Sequence, residues 1–180
     1  MKNLFVILIF VLLLFSPHKG SAQVPSSTPE QKTLERLPDD VLNTELQLFG
    51  GKTLKLSEYS GKVVLLNVFA TWCGPCRFES PDLAKLHRIF NDRGLVVIEL
   101  TPEDPKDSQQ NLRLWIQTFR LPYSVGWAPK EVGEVLLRDR GAIPQSFLIA
   151  RDGRILNRFI GFDRIRTFAQ MGAAIENALK

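Results

Sequence analysis

The apolar run Val63-Val64-Leu65-Leu66-Asn67-Val68-Phe69 leads through Ala70 and Thr71 into Trp72-Cys73-Gly74-Pro75-Cys76, and this junction restricts the fold more than any other stretch. A near-continuous apolar run of this length reads as a strand buried on both faces, the habit of parallel sheets covered by helices. Proline is favoured in a first helical turn, where its missing N–H would be unpaired anyway, so Gly74-Pro75 reads as the turn that starts a helix. That helix is expected from about Pro75 to Phe90, with Leu83, Leu86 and Phe90 on one face, a kink at Pro81 and Gly94 beyond its end. Leu95 to Leu100 reads as a second buried strand. Strand, helix and strand in this order place the cysteines at the carboxyl edge of a sheet, where open α/β folds carry their reactive groups.

Cys73 and Cys76 are the only cysteines in the chain. A disulfide between them closes a loop of a few residues and contributes little stability, so the pair implies chemistry, with thiol–disulfide exchange first. Cys73, at the mouth of the helix, meets free N–H groups and the positive end of the dipole, which favour a thiolate. It is the candidate nucleophile; Cys76, one turn deeper, is the candidate resolving thiol, and Gly74-Pro75 forms the turn between them. A structural zinc site takes four ligands, and the two cysteines are joined only by His87 and by His18 in a targeting segment. Covalent haem attachment needs His after the second cysteine, where Arg77 stands. Cu(I) delivery by the two thiolates, with His87 as a third ligand, is a separate functional class. No metal and no cofactor is expected.

Met1-Lys2-Asn3 followed by the apolar run Leu4 to Phe15 and the small residues Gly20-Ser21-Ala22 reads as a secretory signal over residues 1–22, with cleavage after Ala22. The run is short for a bilayer, which needs about 20 residues. Left uncleaved, it would serve as an N-terminal membrane anchor. No cysteine follows it, which excludes a lipoprotein anchor. Export would place the dithiol where disulfides persist. Residues 23–40, polar and with three prolines, read as a flexible linker, and 41–180 as one folded domain. The formal charge of +4 includes Lys2 and Lys19; without them 21 basic residues face 19 acidic ones, too small an excess to imply nucleic acid. A monomer is expected.

Leu46-Gln47-Leu48 and Thr53 to Leu56 alternate about Gly50-Gly51, an N-terminal hairpin. Leu112, Trp115, Ile116 and Phe119 mark an amphipathic helix, with Trp115 in the core. Tyr123 to Trp127 reads as a short strand and Pro129 opens a helix carrying Val132, Val135 and Leu136. Ser146 to Ala150 and Ile155 to Ile160 form a hairpin about Asp152-Gly153. A last helix, about Asp163 to Leu179, would present Ile165, Phe168, Gly172 and Ile175 on one side.

With these elements in order, Phe69-Ala70-Thr71-Trp72-Cys73-Gly74-Pro75-Cys76 and Gly141-Ala142-Ile143-Pro144-Gln145-Ser146-Phe147-Leu148-Ile149 resemble the two signatures of TlpA-like (ResA-like) thiol–disulfide oxidoreductases of the thioredoxin superfamily. The resemblance implies an α/β thioredoxin-like fold, a central mixed sheet flanked by helices, here with the N-terminal β-hairpin added. It implies a cis Ile143–Pro144 bond in a loop facing the cysteines, with Trp72, Ile143 and Pro144 binding substrate by strand addition. Thioredoxins usually bury an aspartate six residues before the first cysteine. That position is Asn67, which cannot titrate. Glu79, six residues after Cys73, is the candidate proton acceptor in its place, against the simpler role of an exposed first-turn glutamate that complements the helix dipole. Without a His between the cysteines the thiolate loses a stabilising partner, so a low potential and a reductase are expected. The resemblance implies a periplasmic enzyme acting on oxidised exported proteins, apocytochromes c among them, and recharged by a membrane thiol donor. The rival enzyme is a thiol peroxidase of the same superfamily, but Ala70 stands where the peroxidase pattern has a hydroxyl residue.

Overall fold

In a computed structural model the protein is described over residues 36–138 and 140–180. The expected signal segment, and the linker up to residue 35, lie outside the described residues. Among the described residues no helix is long and apolar enough to cross a membrane.

The strands are β1 (Leu46–Leu48), β2 (Thr53–Leu54), β3 (Val63–Val68), β4 (Leu95–Thr101), β5 (Ser124–Trp127), β6 (Gln145–Ile149) and β7 (Ile155–Ile160). The helices are α1 (Asp39–Asn43), α2 (Cys76–Phe90), α3 (Pro105–Phe119), α4 (Lys130–Leu137) and α5 (Thr167–Ala178). The strands form one mixed sheet in the order β2-β1-β5-β4-β3-β6-β7. β3, β4 and β5 run parallel, whereas β1, β6 and β7 pair antiparallel with their neighbours. This is the thioredoxin-like architecture, with the β1–β2 hairpin extending one edge.

β3 is buried along its whole length because helices cover both faces. Val64, Leu66 and Val68 point to one face, where Leu37, Val41 and Leu42 from the N-terminal segment and Val132 and Leu136 of α4 pack. Val63 and Leu65 point to the other, against Leu83 and Leu86 of α2 and Met171 and Ile175 of α5. The alternation carries Asn67 onto the α2 face, at the end nearest the cysteines. Trp115 of α3 is buried and stacks against Phe69, with ring centroids 5.0 Å apart.

Two expectations need correction. Residues 36–40 belong to the folded body and not to the linker: Leu37 is buried, Arg36 bridges to Arg154, and α1 begins at Asp39. α5 begins at Thr167, because Asp163 to Arg166 form its capping turn. The Asp163 carboxylate accepts from the N–H groups of Ile165 and Arg166, and the Thr167 hydroxyl accepts from Asp163 N–H. Ile165 therefore projects into solvent, 87% exposed, and contributes nothing to the apolar side.

The hairpin extension rests on a close backbone approach. Gly126 of β5 faces Leu48 of β1, and a Cβ there would run into the Gln47 carbonyl oxygen. Gly126→Ala is expected to destabilise the protein by about 1–3 kcal/mol through forced separation of β1 from β5. Urea denaturation checks this, and an unchanged midpoint would contradict the packing.

Candidate active site

Cys73 and Cys76 are joined by a disulfide at the N-terminal end of α2. Cys73 N–H donates to the Ala70 carbonyl, and Pro75 caps the helix, so the turn is closed on both sides of Gly74. The Cys76 N–H, one of the helix's unpaired amides, points at Cys73 Sγ at 3.2 Å. The same amide would stabilise negative charge on that sulfur once the bond opens. Both cysteines are almost fully buried, whereas Trp72 beside them is 74% exposed.

The loop before the cysteines is held by a residue that the sequence did not single out. The Glu103 carboxylate accepts from Thr71 N–H at 2.7 Å, from the Thr71 hydroxyl at 2.8 Å and from the Thr101 hydroxyl at 2.8 Å. On the opposite side the Ile143–Pro144 peptide is cis, and the Ile143 carbonyl oxygen lies 3.9 Å from Cys73 Sγ. Gln145 fixes this loop, its amide donating to the carbonyls of Arg140 and Ala142 while Arg158 donates to its oxygen. A cleft of about 280 Å³ opens beside Trp72, lined by Thr71, Arg77, Leu114, Trp115 and Phe119.

Beneath the first turns of α2 runs a row of polar side chains across three strands. Asn67 of β3 is in register with Glu99 of β4 on one side and Ser146 of β6 on the other. Glu79 of α2 descends onto this row. Asn67 Nδ2 donates to Glu79 Oε2 at 2.9 Å, and the Ser146 hydroxyl donates to Oε1 at 3.1 Å. Glu79 is 1% exposed, so the exposed first-turn role does not apply. Burial, opposed by the Asn67 hydrogen bond and reinforced by the charge of Glu99, pushes its carboxyl up to about 8. Glu99 is wholly buried, and burial pushes it up to about 7 against hydrogen bonds from Ser80 and Tyr123. Glu99 was also missed by the sequence reading, although a lone glutamate within the apolar strand Leu95–Thr101 was a signal.

These groups can host a dithiol, an anionic sulfur at a helix end and a carboxyl that exchanges a proton near neutral pH. They do not make a three-ligand copper site with His87. That residue lies eleven positions beyond Cys76, about 16 Å along α2, and packs edge-on against Tyr123. Among the described residues no group of three or more His, Cys, Asp or Glu side chains could hold a metal ion.

The profile of the AhpC/TSA family matches residues 37–158. The chain belongs to that family. Two Bacillus cereus proteins named thiol-disulfide oxidoreductase ResA are similar to it. One is 30% identical over 111 residues, a match spanning 62% of this chain and 62% of that protein. The other, from a second strain, is 28% identical over 164 residues, 89% of this chain and 90% of its own. Among solved structures, a thiol:disulfide interchange protein DsbE of Chlorobium tepidum superposes with a TM-score of 0.69 at 26% identity, over 82% of this chain and 98% of that one. With its Cys73–Cys76 pair, the chain is a thiol–disulfide oxidoreductase of the thioredoxin superfamily.

The buried carboxyls have a consequence for stability. Between about pH 4.5 and about 8 the folded protein keeps a proton on Glu79 that the unfolded chain has released. More protons bound in the folded state mean that stability falls as pH rises through this window, by at most about 1.4 kcal/mol per pH unit for one carboxyl. Denaturant titrations of the oxidised protein should show this fall in the wild type and a shallower one in Glu79→Gln. Parallel pH profiles would contradict the assignment.

Proposed function

We propose that the protein is an exported reductase of disulfides in other exported proteins, with Cys73 as nucleophile, Cys76 as resolving thiol and Glu79 as proton acceptor. The observation that carries this reading is the Glu79 carboxyl, buried on the helical turn that follows Cys76 and held there by Asn67 and Ser146.

In the proposed cycle the Cys73 thiolate attacks one sulfur of a substrate disulfide. The substrate S–S bond breaks, a mixed disulfide forms, and the first substrate thiolate leaves and takes a proton from water. Cys76 gives its proton to ionised Glu79 and attacks Cys73 Sγ, which expels the second substrate thiolate. Two electrons pass from the enzyme dithiol to the substrate. A membrane thiol donor must return them, because the surroundings are oxidising. Trp72, the Ile143 backbone and cis Pro144 flank the sulfurs and suit an extended substrate segment added as a strand. Apocytochromes c awaiting haem are one substrate class consistent with the resemblance to ResA and DsbE. Gly74-Pro75 supplies no side chain that would stabilise the Cys73 thiolate, which supports reductant behaviour. The N-terminal segment supports export to the periplasm, released or tethered. Ala70, buried three residues before Cys73, supplies no hydroxyl to orient peroxide, which weighs against a thiol peroxidase.

Pre-reduced Cys76→Ser should accumulate a mixed disulfide with a disulfide-bonded model substrate, and Cys73→Ser should accumulate none. Glu79→Gln should form the mixed disulfide normally and release it about 10²-fold more slowly. In the wild type the release rate should rise with pH through about 8, as Glu79 ionises, and this inflection should vanish in the Gln variant. Quenched-flow trapping of both phases checks this. Release at the wild-type rate in Glu79→Gln would remove the proposed acceptor.

A further inference from the structure

The polar row under α2 holds a carboxyl that the cycle above leaves idle. Glu99 is wholly buried on β4, in register with Asn67, and is tied to the cysteine helix by two hydroxyls. Ser80 Oγ lies 2.5 Å from Glu99 Oε1 and 3.2 Å from the carbonyl oxygen of Cys76. The Tyr123 hydroxyl lies 3.0 Å from Glu99 Oε2 and 3.3 Å from the Ser80 carbonyl oxygen. Each hydroxyl carries one hydrogen and has two acceptors in reach. With Glu99 ionised, both hydrogens point at its carboxylate. With Glu99 protonated, its own O–H donates to Ser80 Oγ, and Ser80 turns its hydrogen to the Cys76 carbonyl. The site is therefore satisfied in either protonation state by rotation of a hydroxyl alone, which a permanently ionised or permanently neutral group would not require.

The surroundings are poor in positive charge. Facing Glu99 are Asn67 of β3, Glu79 and Ser80 of α2, Trp115 of α3 and Tyr123 ahead of β5. Beyond these, Asp82 acts on Glu79 and Arg88 acts on Tyr123. Tyr123 is half-buried, with its ring edge-on to the half-buried His87 and its hydroxyl turned inward onto Glu99 and the Ser80 carbonyl.

We propose that Glu99 is a second proton-holding residue of the dithiol site, a positioning residue that gains a proton when the Cys73–Cys76 disulfide is reduced and releases it when the disulfide re-forms. This rests on the exchange reading above. Two electrons and one proton convert the disulfide into a Cys73 thiolate and a Cys76 thiol. The new negative charge lies at the head of the helix that Ser80 links to Glu99, and it favours uptake of a second proton by the Glu99 carboxylate. The couple then carries two protons for two electrons.

The test is the equilibrium constant of the purified full chain against a dithiol buffer, followed from pH 6 to pH 8 in wild type, Glu99→Gln and Glu79→Gln. The buffer dithiol releases two protons when it is oxidised and the wild type takes both up, so across this range the wild-type constant should change about tenfold less than that of Glu99→Gln, which corresponds to a displacement of about one pKa unit. Superimposable wild-type and Glu99→Gln profiles would overturn the proposal. If only Glu79→Gln steepens the profile, the second proton belongs to Glu79 and the proposal falls while the exchange reading stands. If neither variant changes it and Glu79→Gln also resolves mixed disulfides at the wild-type rate, Glu79 and Glu99 both lose their assigned roles. Should Glu99→Gln fail to fold, the infrared difference spectrum of reduced minus oxidised Glu79→Gln decides. A protonated-carboxyl band that grows on reduction supports Glu99, and its absence overturns the proposal.

Discussion

A carboxyl group taken out of water demands hydrogen-bond partners, and the partners that Glu79 finds set the arrangement of everything around the cysteines. Asn67 and Ser146 reach it from neighbouring strands, which requires β3 and β6 to pair in their observed register. Because side chains alternate along a strand, a slip of β6 by one residue would turn Ser146 away from α2. β6 also follows directly from the Ile143–Pro144 loop. The strand that supplies a partner to Glu79 thus also places a backbone carbonyl 3.9 Å from Cys73 Sγ. The Ile143–Pro144 loop, the disulfide and the buried carboxyl are held in one frame.

Within that frame the proposed acid–base group, Glu79, sits on the helix and not on the strand. Asn67 occupies the centre of the sheet as a fixed donor, and its amide favours the ionised form of Glu79. Burial and the neighbouring Glu99 favour the neutral form. The balance leaves the carboxyl near the pH at which proton exchange is most useful to a thiol. Glu103 plays a quieter part: by taking both the N–H and the hydroxyl of Thr71 it fixes the approach to Trp72, so the exposed indole stands beside the cysteines from an anchored loop.

Much of this was legible in the sequence because the folding signals are local. The buried run into Cys73, the hairpin about Gly50-Gly51, the three-and-four spacing of α3 and the β6–β7 hairpin each lie within a short stretch of chain. Less local features were not legible. Residues 36–40 look like linker because a five-residue helix shows no periodicity, yet Leu37 and Val41 complete the core. Ile165 matched a helical stripe, but Asp163 satisfies the amides of that turn and starts the helix later. The row Glu99–Asn67–Ser146 exists only through strand register, which joins positions 32 and 79 residues apart. Its importance follows from Glu79 landing upon it, and no spacing in the sequence announces that.

The proposal that this site works as a reductant is tested most directly by the reduction potential of the Cys73–Cys76 pair. The purified full chain would be equilibrated with thiol–disulfide buffers at pH 7 and the two redox forms quantified. A reductant of this kind should show a value near about −270 mV, at the reducing end for such pairs. A value near about −120 mV would contradict it, because a pair that oxidising installs disulfides and does not remove them.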